Sequence, residues 1–142
     1  TLICSFMCTN STMEVFNLGQ KNPSVGYCIP QGVVGMFYSV LNYINLGELR
    51  VSGITNLNNI FTGCSVLANI KVKQLKANIS LADSPLISLE SLQYLITNAA
   101  NTSVITVTVH ADVYAKIQDE SNTDWHALLA AAEAKQITFA TV

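Results

Sequence analysis

A short alternating triplet recurs along the chain, and it constrains the possible folds more than any other feature of the sequence. Each copy places one charged residue between two apolar residues, and another apolar residue follows three positions later. The copies are Met13-Glu14-Val15, Leu49-Arg50-Val51 and Ile70-Lys71-Val72. The last two are 21 residues apart (49 to 70), and strands that recur at about 20–29 residues are typical of solenoid proteins. The pattern therefore predicts a stack of short strands.

The alternation also predicts which side chains face the core. Successive side chains of a strand point to opposite faces, so the apolar members should lie inside and the residues between them outside. The expected core ladder comprises Val15, Leu49, Val51, Ile70, Val72, Ile79, Leu81, Ile105 and Val107. The expected outward ladder comprises Glu14, Arg50, Lys71, Ser80 and Thr106, flanked by Phe16, Ser52, Lys73 and Thr108.

Helical and strand patterns alternate along the rest of the chain. Apolar residues from Val33 to Ile44 recur at three- and four-residue steps, which predicts a helix. Ser88 is suited to cap a helix over residues 89–99. Strict alternation over residues 105–109 predicts a strand. Two more helices are expected at about residues 112–117 and after a cap at Ser121 or Thr123, followed by a last strand at 137–140.

Strands separated by helices favour right-handed crossovers and parallel pairing. We therefore predict a single α/β domain, a leucine-rich-repeat-like solenoid with a mostly parallel sheet. Residues 1–83 would form degenerate repeats, and residues 84–142 a helix-rich C-terminal cap. A solenoid needs such a cap because its last strand would otherwise leave an apolar face and an open edge in water.

The composition favours a folded, weakly charged protein. Half of the 142 residues are hydrophobic, the mean hydropathy is +0.38, and only 11% are charged, against roughly 25% in an average domain. The formal net charge of −2 gives no attraction toward nucleic acid or anionic membrane. No stretch approaches the ~20 apolar residues of a membrane span. The chain opens at Thr1, which we interpret as a processed end or part of a longer protein.

The four cysteines do not form a metal-binding pattern. Cys4 and Cys8 are four residues apart, and no histidine lies near them for a zinc site. Their neighbours are apolar, so buried free thiols are expected, including Cys64. One disulfide among Cys4, Cys8 and Cys28 is the alternative. We expect no metal and no cofactor.

The segment from Phe61 to Val72 reads Phe-x-Gly-Cys-Ser-x-Leu-x-x-Ile-x-Val. It resembles the BspA-like leucine-rich repeat family, in which an aromatic residue and a Gly-Cys-Ser-type turn precede each strand. Residues 84–110 look like the region that follows such repeats in some bacterial proteins, so the resemblance covers about residues 49–142. Members are typically cell-surface or secreted bacterial proteins used for adhesion and protein contact. The resemblance implies an extracellular binding role and supplies no catalytic residues.

Solenoids bind partners on their concave sheet faces, so the outward ladder is the candidate binding surface. Arg50, Lys71 and Lys73 would form a basic patch, Thr106 would lie on the same face, and Phe16 would offer an aromatic contact. We expect this face to bind an acidic or polar protein or glycan. The alternative interpretation is that the three cations only keep an exposed sheet soluble.

Two other classes of function are open. The first strand has no evident N-terminal cover, so its edge could pair with further repeats or a second copy. That would suit a structural subunit of a surface or virion tail assembly. An enzyme, of hydrolase type, would depend on His110 and Asp112, which follow a predicted strand. No nucleophile or phosphate-loop motif accompanies them, and His110 is better explained as a helix cap.

Overall fold

The computed structural model describes residues 56–72, 74–100 and 103–142, together with four short strands nearer the N-terminus. Those four strands are β1 (Leu2–Ile3), β2 (Val15–Asn17), β3 (Pro30–Gly32) and β4 (Tyr43–Leu46). The later strands are β5 (Asn56–Leu57), β6 (Asn69–Val72), β7 (Asn78–Leu81), β8 (Ile105–Val109) and β9 (Ile137–Thr141). The helices of the described part are α1 (Leu89–Thr97), α2 (Ala111–Gln118) and α3 (Thr123–Glu133).

The described strands form three sheets, and every pairing among them is parallel. The strand orders are β1-β3, β2-β4-β6 and β5-β7-β8-β9. The protein is therefore a mixed α/β fold with parallel sheets, as the sequence predicts at that level. The single continuous ladder predicted for the triplets is wrong, because β6 and β7 belong to different sheets.

The partner of β6 differs from the predicted one. Ile70 lies opposite Ile44, and Val72 lies opposite Leu46, so the pairing joins residues 26 apart (44 to 70). Ile44-Asn45-Leu46 has the same apolar-polar-apolar alternation as Leu49-Arg50-Val51. Both segments fit a strand locally, and only the long-range pairing separates them. Residues 47–55 lie outside the described part of the chain.

The predicted helix ending at Ile44 is also corrected at its C-terminal end. Tyr43–Leu46 is a strand that pairs with β2 on one side and with β6 on the other. Apolar residues at this point fit both a helical stripe and a strand, and hydrogen bonding to two neighbouring strands favours the strand. Residues 33–42 lie outside the described residues.

The elements predicted after residue 84 are confirmed. Ser88 caps α1, and its side chain accepts a hydrogen bond from the Ser91 backbone N–H. His110 caps α2 in the same way, through the Asp112 backbone N–H. The predicted cap of α3 is wrong: Asn122 occupies the N-cap position without a side-chain hydrogen bond, because the Ser121 hydroxyl bonds to Asp119 instead.

One apolar core joins the strands and the helices. Alternate residues of β7, β8 and β9 are buried against the helices: Ile79, Leu81, Ile105, Val107, Val109, Ile137 and Phe139. The helices contribute Leu92, Leu95, Val113, Ile117, Leu128 and Ala132. Ile70, Val72 and the buried Cys64 belong to the same core. The other three cysteines lie outside the described residues.

Candidate functional site

The structure does not bring the predicted binding residues together. Lys71 lies in β6 and Thr106 lies in β8, and these strands belong to different sheets. Phe16 lies in β2, at the level of Ile44. Arg50 and Lys73 lie outside the described residues. Within the described part of the chain, Lys71 is thus the one member of the expected basic patch.

Lys71 points outward from β6, and its side chain reaches α1. Its side chain is half-buried, and its Nζ lies 5.6 Å from the centre of the Tyr94 ring, within range of a cation–π contact. Glu90 lines the same small pocket. Lys71 is therefore a residue of the strand–helix contact as much as of the surface.

Helix α1 occupies the edge of β6 where a further strand would otherwise pair. The Ile70 backbone N–H donates to Ser91 Oγ at 2.9 Å, and the Ser88 backbone N–H donates to the Ala68 carbonyl at 2.7 Å. Beyond the other end of the helix, the Gln74 N–H donates to the Asn98 carbonyl at 2.7 Å. These bonds satisfy edge groups that would otherwise be open. They explain why the order β2-β4-β6 ends at β6.

An uncharged polar surface lies on the face of β7, β8 and β9 that is opposite their buried residues. We call it the hydroxyl face, and it consists of Asn78, Ser80, Thr106, Thr108 and Thr138. These residues alternate with the buried ones, so they point away from the helices. Ser80 lies opposite Thr108, and Thr106 lies opposite Thr138. The face therefore spans three hydrogen-bonded strands.

The geometry of the hydroxyl face is fixed by its own backbone. Asn78 Oδ1 accepts a hydrogen bond of 2.8 Å from the Thr106 N–H, and Ser80 Oγ accepts one from the Ala82 N–H. Within the described part of the chain, the hydroxyls of Thr106, Thr108 and Thr138 have no protein partner. Thr106 and Thr138 lie side by side on strands about 4.8 Å apart. Thr108 lies two residues further along β8, so three hydroxyls that can donate or accept share this face.

The sequence predicted part of this face and missed the rest. Ser80, Thr106 and Thr108 were expected to point outward, and they do. The predicted outward ladder includes neither Asn78 nor Thr138. Ile137-Thr138-Phe139 has the same alternation as Ile105-Thr106-Val107, which was the available signal for Thr138.

A groove of about 580 Å³ lies where β7, β8 and β9 end, lined among others by Ser65, Asp83, His110 and Val142. His110 Nδ1 accepts from the Asp112 N–H at 3.2 Å and lies 3.5 Å from the Asp112 carboxylate. Asp83 Oδ2 accepts from the Gly63 N–H at 2.7 Å, where Gly63 has a φ of 74°. Both polar groups thus hold local turns, and the helix-cap interpretation of His110 is confirmed.

The loop between α2 and α3 contains a carboxylate with a perturbed pKa. The Ser121 hydroxyl and backbone N–H donate to Asp119 Oδ1 at 2.6 and 2.9 Å, and these bonds lower the pKa of Asp119 below 3.8. His126 of α3 is half-buried, and its Nδ1 lies 3.1 Å from the Ile117 carbonyl. The Asp119–Ser121 bonds hold the loop itself, and the His126 contact joins α3 to α2.

No group of three or more metal-ligating side chains converges anywhere in the described residues. The helices of the described part are all too short to cross a bilayer. Comparison with known proteins gives no family model that matches the chain. Searches of curated proteins and of solved structures likewise give no significant match.

Proposed function

We propose that this chain is a non-catalytic binding module whose hydroxyl face contacts a polar, uncharged protein or glycan. The observation that carries the proposal is that three threonine hydroxyls on one face of β8 and β9, those of Thr106, Thr108 and Thr138, have no protein partner among the described residues. Hydroxyl groups both donate and accept hydrogen bonds. A partner rich in hydroxyl or amide groups can therefore satisfy them without a charge.

The absence of charge on the hydroxyl face favours a neutral partner over an acidic one. Lys71, the described member of the expected basic patch, lies in another sheet and contacts Tyr94. Nucleic acid is a poor fit, because its binding depends on neutralising phosphates. The proposed partner is therefore polar and uncharged.

The resemblance of residues 61–72 to the BspA-like repeats supports an adhesion role at a bacterial cell surface. In that interpretation the parallel sheets are the last turns of a leucine-rich solenoid, and α1 ends one of them. The pairing distances of 28 residues (15 to 43) and 26 residues (43 to 69) agree with such a repeat.

An array of glycans and proteins, probed with the labelled chain, tests the proposal. The test variant is Thr106→Ala/Thr138→Ala, which removes two outward hydroxyls and leaves the core unchanged. Its matched control is Thr62→Ala/Thr97→Ala, which removes two exposed threonine hydroxyls elsewhere. We expect the test variant to bind the array partner at least about tenfold more weakly, the equivalent of two modest hydrogen bonds.

The control variant should bind as the wild type does. If the test variant also binds at full strength, the hydroxyl face is not the contact surface. Turnover of an array compound that His110→Ala abolishes would instead support an enzyme at the groove.

A further inference from the structure

Strand β9 is the last strand in the order β5-β7-β8-β9, and its outer edge is open among the described residues. The Ile105 N–H donates to the Gln136 carbonyl, and Ile105 lies opposite Ile137. In a parallel pair this geometry directs residues 136, 138 and 140 toward β8. The backbone N–H and C=O groups of Ile137, Phe139 and Thr141 therefore point away from the sheet.

This edge lacks the features that usually prevent strand addition. β9 reads Ile-Thr-Phe-Ala-Thr, with no charged residue and no proline, and its register with β8 has no bulge. Natural sheets protect their edges with such residues or cover them. The edge of β6 differs from the edge of β9, because α1 supplies hydrogen-bond partners along β6.

A groove of about 610 Å³ with a mixed apolar and polar lining, which includes Glu133 and Gln136, runs beside the β9 edge. Tyr114, Leu129 and Phe139 line it, and Val104 beside it is 76% exposed. A strand added to β9 would place alternate side chains toward this groove, as in strand-addition complexes. A strand added to this edge must bring unpaired backbone N–H and C=O groups of its own.

The β9 edge of a second copy brings such groups, because its residues 137, 139 and 141 point away from its own β8 in the same way. Its Ile137 and Phe139 stay in its own core on the helix side, whereas Thr138 lies on the hydroxyl face. A two-fold axis perpendicular to the sheet would pair two β9 strands antiparallel and keep each face on its own side. Because β9 is uncharged, this pairing brings no like charges together. We infer that two copies associate through their β9 edges to form one continuous eight-stranded sheet.

The inference does not depend on the proposed binding role, and the mass of the intact chain in solution tests it. Sedimentation equilibrium over a range of concentrations should show a monomer–dimer equilibrium. The variant Thr141→Pro removes an outward N–H that β8 does not use, and its ring obstructs a neighbouring strand. Thr141→Ala keeps that N–H and is the matched control. Circular dichroism checks that both variants fold.

We expect Thr141→Pro to weaken dimerisation at least about tenfold and Thr141→Ala to leave it unchanged. Hydrogen exchange locates the dimer interface, since the amides of Ile137, Phe139 and Thr141 should become more protected as the protein concentration rises. A monomer at every concentration overturns the inference. So does a dimer that Thr141→Pro does not weaken, or one whose concentration-dependent protection lies outside residues 137–141.

Discussion

Neighbouring residues of β6 differ sharply in what they contribute to the stability of the fold. Ile70 and Val72 are each 1% exposed and lie in the core, whereas Lys71 between them is half-buried against Tyr94. The same alternation repeats in β7 and β8. Stability should therefore depend on the inward residues, and the outward ones should be replaceable.

Replacing Ile70 by Ala should lower the free energy of unfolding by about 2–5 kcal/mol, because it removes buried methyl groups and leaves a cavity. Replacing Lys71 by Ala should lower it by only about 0.5–1 kcal/mol, the size of a partly exposed cation–π contact. Urea denaturation of the two variants measures both values. Equal losses would contradict the assignment of inward and outward residues.

The carboxylate of Asp119 should titrate at a lower pH than a free aspartate. Its lowered pKa, caused first by the Ser121 hydroxyl, means that the group stabilises the fold above about pH 4. That contribution is lost as the pH falls through the pKa of the folded state. In Ser121→Ala the pKa of Asp119 should rise toward 3.8, which carboxyl NMR titration can follow.

Ser121→Thr retains a hydroxyl and is the control for this titration. It should keep the pKa of Asp119 low. An unchanged pKa in Ser121→Ala would mean that the backbone N–H of residue 121 alone holds the carboxylate.

At the scale of elements, α1 supplies hydrogen-bond partners to β6 as well as apolar side chains to the core. Its first turn supplies Ser88 and Ser91, whose polar groups bond to the backbone of residues 68–70. A helix thus takes the position that a fourth strand would occupy beside β6. Helix α1 therefore ends the β2-β4-β6 sheet, whereas the solenoid cap that the sequence predicts over residues 84–142 stays a prediction.

Removing the Ser91 hydroxyl should destabilise the protein although alanine favours helices. Ser91 is 3% exposed and accepts from the Ile70 N–H, so Ser91→Ala leaves a buried donor without its partner, at a cost of about 1–3 kcal/mol. Gln93→Ala, at an exposed position of the same helix, is the control and should be neutral or slightly stabilising. Thermal denaturation compares the two, and equal stability would refute the role given to Ser91.

The C-terminal elements could be predicted because their signals are local. Ser88 before α1 and the alternation of residues 105–109 need no knowledge of distant partners. The strand pairing could not be predicted in this way, since Ile44-Asn45-Leu46 and Leu49-Arg50-Val51 alternate equally well. The division of β6 and β7 between two sheets depends on contacts across 22 to 28 residues, and no local pattern encodes it.

The candidate site was predictable only in part for the same reason. Thr106 and Thr108 point outward because of their own strand's alternation. That Thr138 lies beside Thr106 follows only from the parallel pairing of β8 with β9. The expected basic patch joined Lys71 to Thr106 on the assumption of one ladder, and the topology separates these two residues.

At the scale of the whole molecule, three surfaces compete as the contact site. The hydroxyl face lies on one side of the β5-β7-β8-β9 sheet, the groove with Asp83 and His110 lies where its strands end, and Lys71 lies with Tyr94 on another element pair. Each of these surfaces would bind a partner of a different chemical class. Locating the contact therefore tests the function as well as the position.

The most direct measurement is an NMR map of backbone amide shifts as the array-selected partner is added to the labelled chain. We expect the shifts to centre on residues 78–80, 106–108 and 138–140, with little change at Asp83, His110 or Lys71. A map centred on Asp83 and His110, or on Lys71 and Tyr94, would contradict the central claim that the hydroxyl face is where this protein binds.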